Sequence, residues 1–208
     1  MVACHAENNL PVSNPDQAAK GRTAHWIRVV RYYEGEFPDV RVKYMPVLCQ
    51  QCDEAPCEPV CPVYATYHNR EGLNVQVYNR CVGTFYCANN CPYTVRYFNW
   101  FAPEWPEPLA LQHNPDVSVR PAGVMEKCTF CIQRIKRTKQ NAAQEGRPLA
   151  DGEVQPACVQ SCPAEAMVFG DLNDPESKVS RLAQNGRVTR LLEELGTKPK
   201  VFYLQKVK

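Results

Sequence analysis

The sequence predicts an α+β fold, one domain or two small ones, of short β-hairpins and helices around loops stapled by cysteine. Three observations predict it. The 208 residues hold 18 prolines and only 3 isoleucines, which argues against a helical bundle or a large Val/Ile sheet. Leu, Ile, Val and Phe together make up 45 of the residues, a core thin enough to need staples. Twelve cysteines are available as those staples. The charge balance, 24 Lys+Arg against 22 Asp+Glu, gives non-specific nucleic-acid binding little electrostatic support, so no nucleic-acid partner is expected. No charge-free apolar run approaches the ~18 residues that a membrane-spanning helix needs.

His25–Tyr33 and Val40–Val47 read as strands, and Leu73–Val77 as the second arm of a hairpin turning at Glu71-Gly72. Phe101–Pro121 carries Pro103, Pro106, Pro108, Pro115 and Pro121 beside Trp100 and Trp105 and reads as a loop, either a water-excluding cover or a docking element. Cys131–Glu145 reads as a helix with a solvated basic face of Arg134, Lys136, Arg137 and Lys139. Ala164–Gly170 is expected to be a strand, Pro175–Leu195 an amphipathic helix broken at Gly186, and Val201–Val207 an alternating strand.

The cysteine count alone would suit disulfides, but the spacing does not. Cys57/Cys61/Pro62, Cys87/Cys91/Pro92 and Cys158/Cys162/Pro163 repeat one punctuation, C-x3-C-P. Read backwards, they belong to Cys49-x2-Cys52-x4-Cys57-x3-Cys61-Pro62, to Cys81-x5-Cys87-x3-Cys91-Pro92, and to Cys128-x2-Cys131 followed after an insertion by Cys158-x3-Cys162-Pro163. All are variants of the bacterial ferredoxin run, in which three thiolates hold one cubane and the cysteine before Pro ligates another. The Pro lacks an N–H and restrains its predecessor to extended backbone, so that thiolate turns towards a neighbouring cluster. A zinc knuckle could use Cys49-x2-Cys52 and Cys128-x2-Cys131, yet zinc gives a thrice-repeated x3-C-P tail no role.

Under this exchange rule Cys49, Cys52, Cys57 and Cys91 form one [4Fe-4S] site, and Cys4, Cys128, Cys131 and Cys158 a second. Cys61, Cys81 and Cys87 form a third site with only three thiolates. Thr84 stands where the fourth ligand would be, and its hydroxyl is a poor soft-metal ligand. A [3Fe-4S] cluster is expected there, the alternative being [4Fe-4S] with water or another side chain on the fourth iron. Cys162 is left over. Because Met1 precedes Cys4 by the x3 of a C-x3-C ending, a first group of three cysteines is expected upstream, and only with those would Cys162 join a further [4Fe-4S] cluster. Structural or surface roles are expected for His25, His68 and His113; His5 stands after Cys4 where the other groups have Pro.

On these residues the chain resembles the four-cluster iron-sulfur subunits of the molybdopterin oxidoreductase superfamily, with the nearest likeness to the C-terminal iron-sulfur domain of the alternative complex III large iron-sulfur subunit. The segments that carry the resemblance are Cys4–Pro11, Gly21–Gly35, Cys49–Thr66, Glu71–Trp100 and Glu126–Ile135, with Gly83-Thr84 in place of Gly-Cys as the discriminating feature. The first three cysteines and the large molybdopterin-like domain of the fused subunit are missing. The resemblance implies a double ferredoxin-like fold, with residues 1–48 and 123–208 as one lobe, 49–100 as the other and 101–122 as an insertion loop.

It also implies an electron relay. Electrons from quinol would enter at the Cys61/Cys81/Cys87 cluster, beside an integral membrane quinol-binding subunit, and leave towards a cytochrome c-type or molybdopterin-like subunit. The protein would be peripheral on the bacterial inner membrane, on the periplasmic side, with the cytoplasmic side open. No residue is expected to act as an acid-base catalyst. Two further readings stand beside it: the iron-sulfur subunit of a molybdopterin respiratory reductase acting on polysulfide, tetrathionate, nitrite or a similar acceptor, and a zinc- or disulfide-stapled interaction module.

Overall fold

Four two-stranded antiparallel hairpins and six short helices, strung on long loops, make up residues 1–206, those that the computed structural model of the protein describes. Strands β1 (Ile27–Glu34) and β2 (Arg41–Leu48) pair over eight residues with Ile27 opposite Leu48, within two residues of the expected bounds. Only the base of this hairpin is buried; its far end is exposed and carries a Glu34–Lys43 ion pair at 2.5 Å. Strands β3 (Thr66–His68) and β4 (Asn74–Gln76) form the hairpin expected at Glu71-Gly72. The Asn69 side chain makes that turn, accepting from the amides of Glu71 and Leu73 at 3.0 and 2.9 Å.

Strands β5 (Arg96–Phe98) and β6 (Met125–Lys127) pair across the proline-rich insertion, a hairpin the sequence does not announce because its arms lie so far apart. Helices α1 (Val2–Glu7) and α2 (Pro15–Ala19) precede β1, and Asn14 caps α2 by accepting from Gln17 N–H at 2.9 Å. Helix α3 (Tyr86–Asn89) follows β4, α4 (Ile132–Gln144) is the expected basic helix, and α5 (Ala157–Gln160) follows it.

Four expectations need correction. Ala164–Gly170 is not a strand: no facing segment pairs with it among the described residues, and a strand exists only through its ladder. Phe169 instead sets its ring edge-on against Phe130, with centroids 5.3 Å apart. The helix expected from Pro175 to Leu195 is confined to α6 (Lys178–Ala183), capped by Ser177, and ends before Gly186. An Asn185 side chain accepting from Arg187 N–H at 3.0 Å offers the backbone a turn instead. Beyond it β7 (Val188–Thr189) pairs with β8 (Tyr203–Leu204), so the strand expected over 201–207 shrinks to two residues, with Val207 outside the described residues. The proline-rich loop also contains one 3-10 turn, Leu109–Gln112.

The core is built around sulfur. Cys4, Cys49, Cys52, Cys57, Cys87 and Cys128 are packed with Leu10, Trp26, Ile27, Val47, Leu48, Val95 and Met125. One buried ion pair ties three separate segments to it. Arg120 grips Glu126 through Nε at 2.9 Å and Nη2 at 3.1 Å, and donates to the carbonyls of Asn8 at 2.8 Å and Asn9 at 3.1 Å. Trp26 Nε1 at 3.1 Å and Asn99 Nδ2 at 2.5 Å complete the shell of Glu126. The insertion is thereby clamped to α1 on one side and to β6 on the other.

Breaking a hydrogen-bonded buried pair leaves the other charge stranded, at a cost of about 3–5 kcal/mol. Arg120→Met is therefore expected to lower stability by that order in anaerobic denaturant titrations. Arg147→Met, which removes an exposed partner of Glu153, is expected to cost far less, since solvent screens such a pair. Equal losses in the two variants would contradict the clamp.

Candidate metal centres

The backbone repeats along with the cysteines. Gln51, Gly83 and Phe130 each lie two residues after the first cysteine of a group, and all three are left-handed, at φ 48, 73 and 55°. Tyr64, Thr94 and Glu165 each lie three residues after a C-x3-C-P cysteine, again left-handed, at φ 51, 53 and 46°. Side chains other than Gly adopt this region at a cost, so its recurrence at matching positions marks one loop conformation used several times. Thr84 follows Gly83 as Cys52 follows Gln51 and Cys131 follows Phe130.

All twelve cysteines are free of disulfides, and eleven fall into three groups whose members lie close enough to act on one another's charge. In the first, Cys52 is raised by burial, with Cys49 and Cys91 adding their charge. Cys57 is raised to about 11 by burial and by the same two neighbours, against the opposing charge of Arg96 and Lys127. In the second, burial and then Cys131 and Cys158 push Cys4 up to about 12, while burial and Cys4 push Cys128 well above its ordinary value. In the third, burial, Cys81 and Cys61 raise Cys87. Cys61 itself, which burial alone would raise, is held low by the backbone amides of Ala65, Val63 and Thr66. Cys162 lies partly exposed just past α5.

Donors point at the sulfurs. Ala65 N–H reaches Cys61 Sγ at 3.1 Å, Met125 N–H reaches Cys81 Sγ at 3.4 Å, and Phe130 N–H reaches Cys128 Sγ at 3.4 Å. Asn8 Nδ2 lies 3.6 Å from Cys4 Sγ and 3.7 Å from Cys131 Sγ, bridging two members of one group. Among the described residues no three His, Cys, Asp or Glu side chains converge as a single metal ion requires. A cubane offers its irons at separate corners, so its thiolates stand apart. Buried soft donors, amides aimed at sulfur and the two buried cations at Arg96 and Lys127 together fit an iron-sulfur cluster in each group.

The histidines are held by other contacts. His5 Nε2 and His25 Nδ1 are 3.0 Å apart, His68 Nδ1 meets Glu58 Oε1 at 2.7 Å, and His113 packs edge-on against Trp105. Sequence reading missed Asn8, Arg96 and Lys127. Arg96 and Lys127 are polar residues near cysteines, but only the β5–β6 pairing reveals that both are buried between the groups.

The profile of the 4Fe-4S dicluster domain matches residues 40–106. The menaquinone reductase iron-sulfur cluster-binding subunit of Nitratidesulfovibrio vulgaris is 48% identical over 99% of this chain and 82% of its own length. The arsenate respiratory reductase iron-sulfur subunit of Shewanella sp. strain ANA-3 is 36% identical over 98% of this chain and 88% of its own. The B component of the polysulfide reductase of Wolinella succinogenes is 34% identical over 97% of this chain and 83% of its own.

Cys61, Cys81, Cys87, Gly83 and Thr84 line one hollow. A Cβ on Gly83 would stand 2.4 Å from the Gly123 carbonyl oxygen, on a backbone at φ +73°. Gly83→Ala is therefore expected to lose part of the iron and acid-labile sulfide retained through anaerobic gel filtration. Gly21→Ala, also at positive φ but with open space around it, is expected to retain both. Full retention in Gly83→Ala would show that the loop does not depend on this close approach.

Proposed function

The chain belongs to the iron-sulfur subunits of the molybdopterin oxidoreductase superfamily, and on that premise we propose that it relays electrons from quinol within a membrane-associated respiratory oxidoreductase. The observation that carries this reading is the gathering of eleven buried or half-buried thiols into three groups, in which Cys61 and Cys91 each join the other's loop. Clusters bound there would supply one-electron transfer. The chain would fix their spacing, keep water out and supply the hydrogen bonds and charges around them.

We assign [4Fe-4S] clusters to Cys49/Cys52/Cys57/Cys91 and to Cys4/Cys128/Cys131/Cys158, and a [3Fe-4S] cluster to Cys61/Cys81/Cys87. A further [4Fe-4S] at Cys162 would need three thiolates from elsewhere. Two ferredoxin-like lobes, 1–48 with 123–208 and 49–100, fit this assignment, with 101–122 as the insertion and the β5–β6 hairpin bridging the lobes.

The third group is the proposed point of entry. Val63 and Val82 rim its hollow, and Tyr86 and Trp100 lie exposed close by. Exposed apolar side chains beside the hollow suit a docking face, which we assign to an integral membrane quinol-binding subunit. The 48%-identical relative named as a menaquinone reductase supports the link to a quinone. No helix among the described residues is long and apolar enough to cross a membrane, in keeping with a peripheral subunit; the periplasmic side is our proposal. The relatives named for arsenate and polysulfide favour a second version, in which a molybdopterin subunit, rather than a cytochrome c-type one, exchanges electrons with the far end of the relay.

Anaerobically purified protein is expected to contain iron and acid-labile sulfide and, when oxidised, to show the paramagnetic signal of a [3Fe-4S] centre. Thr84→Cys should convert that signal towards [4Fe-4S]. An unaltered signal in this variant would refute the role given to Thr84, and zinc without sulfide would remove the relay reading.

A further inference from the structure

Register pairing sets Arg96 of β5 directly opposite Lys127 of β6. Both are interior, Arg96 at 5% and Lys127 at 0% exposure. Arg96 donates to neutral oxygens: Gln76 Oε1 at 2.8 Å, Thr66 Oγ1 at 2.6 Å and Asn74 Oδ1 at 2.8 Å. Lys127 Nζ donates to the Cys128 carbonyl at 2.9 Å. Among the described residues neither forms an ion pair with a carboxylate. Glu126, between Met125 and Lys127 on the same strand, faces the other way and is consumed by Arg120, Trp26 and Asn99. Glu58 approaches Arg96 only through Asn74, which donates to it.

Burying a cation without a counter-charge is costly, so two such cations back to back require anions on either side. Among the described residues the candidates within reach are the cysteine groups. Arg96 shares Asn74 Oδ1 with Cys57 Sγ, which lies 3.9 Å from it, and its acceptor Gln76 lines the hollow of the third group, while Lys127 shares the Cys128 carbonyl with Gln51 Nε2 of the first group's loop, at 2.9 Å each. Arg96 thus stands in the gap between the first and third groups, and Lys127 in the gap between the first and second.

We propose that Arg96 and Lys127 are fixed counter-charges that raise the reduction potentials of the cluster pairs they separate, Lys127 acting on the Cys49/Cys52/Cys57/Cys91 and Cys4/Cys128/Cys131/Cys158 sites and Arg96 on the Cys49/Cys52/Cys57/Cys91 and Cys61/Cys81/Cys87 sites. Each one-electron reduction adds a negative charge, and a cation in a poorly screened interior favours that state. They are positioning residues; neither ligates iron. The inference rests on the ligand sets proposed above.

The test is an anaerobic redox titration followed by electron paramagnetic resonance on the wild type, Lys127→Met and Arg96→Gln. The three-iron centre, recognised by its oxidised signal, is expected to become harder to reduce in Arg96→Gln by at least about tenfold in its equilibrium, which is about 59 mV for one electron. In Lys127→Met it should stay where it is while the four-iron signals shift down by a similar factor. Loaded variants with unaltered potentials, or with every centre moving together, would overturn the proposal. If a neutral variant fails to retain iron, loading restored by Lys127→Arg or Arg96→Lys supports the charge role, and failure of these as well overturns it. A wild type without iron and sulfide would instead sink the ligand sets themselves.

Discussion

Buried sulfur is the constraint on which the rest of this structure depends. Six cysteines sit among the central apolar residues, and three more pack against them half-buried. A thiol there is a small apolar group with little to hold it in one place, and several together resist losing their protons, as the raised values at Cys4, Cys57 and Cys128 record. Metal binding competes with those protons and makes the binding free energy part of the folding free energy. A chain with this few large aliphatic residues then has no need of a larger core, and its four hairpins can remain isolated two-stranded pairs.

Such small hairpins are marginal alone and must be tied to one another. The ties are polar and specific. Arg120 and Glu126 join the insertion, α1 and β6. Asn9 accepts from Asn114 N–H at 2.8 Å and donates to the Asn114 carbonyl at 2.9 Å, holding the insertion a second time. On the other side a strap before β8 lies along the loop of the first group: Lys200 N–H donates to Gln50 O at 2.9 Å and Asp53 N–H donates to Lys198 O at 3.0 Å. The loops that present the cysteines are thus fixed from outside as well as by what they enclose. The proline-rich insertion, which composition leaves as either a cover or a docking element, is in its second half a clamp.

Cysteine spacing makes the site more legible than the fold. C-x3-C-P carries its own geometry, because Pro restricts the residue before it. The β1–β2 hairpin and α4 are legible from alternation and from helical periodicity. The β5–β6 hairpin is not, since its arms are joined by a long insertion and Met125, Glu126 and Lys127 are all buried, which erases alternation. Ala164–Gly170 looks like a strand in sequence because local pattern cannot tell whether a partner is present. Arg96 and Lys127 escape notice for the opposite reason: a cation in a sequence reads as surface until tertiary structure shows it enclosed.

On the proposed reading, the three groups differ in ways that point in one direction. The Cys61/Cys81/Cys87 group has one thiolate fewer, and it lies under an apolar rim beside solvent. The Cys4/Cys128/Cys131/Cys158 group is deep, with Lys127, shared with its neighbour, on one side and Arg134 beside Cys131 on the other. Burial disfavours added charge, whereas a nearby guanidinium favours it. The middle group, flanked by both Arg96 and Lys127, is relieved of the penalty that its depth would impose. A cation in each gap thus keeps neighbouring sites close in energy, and without it the buried middle site would be a barrier between the two ends.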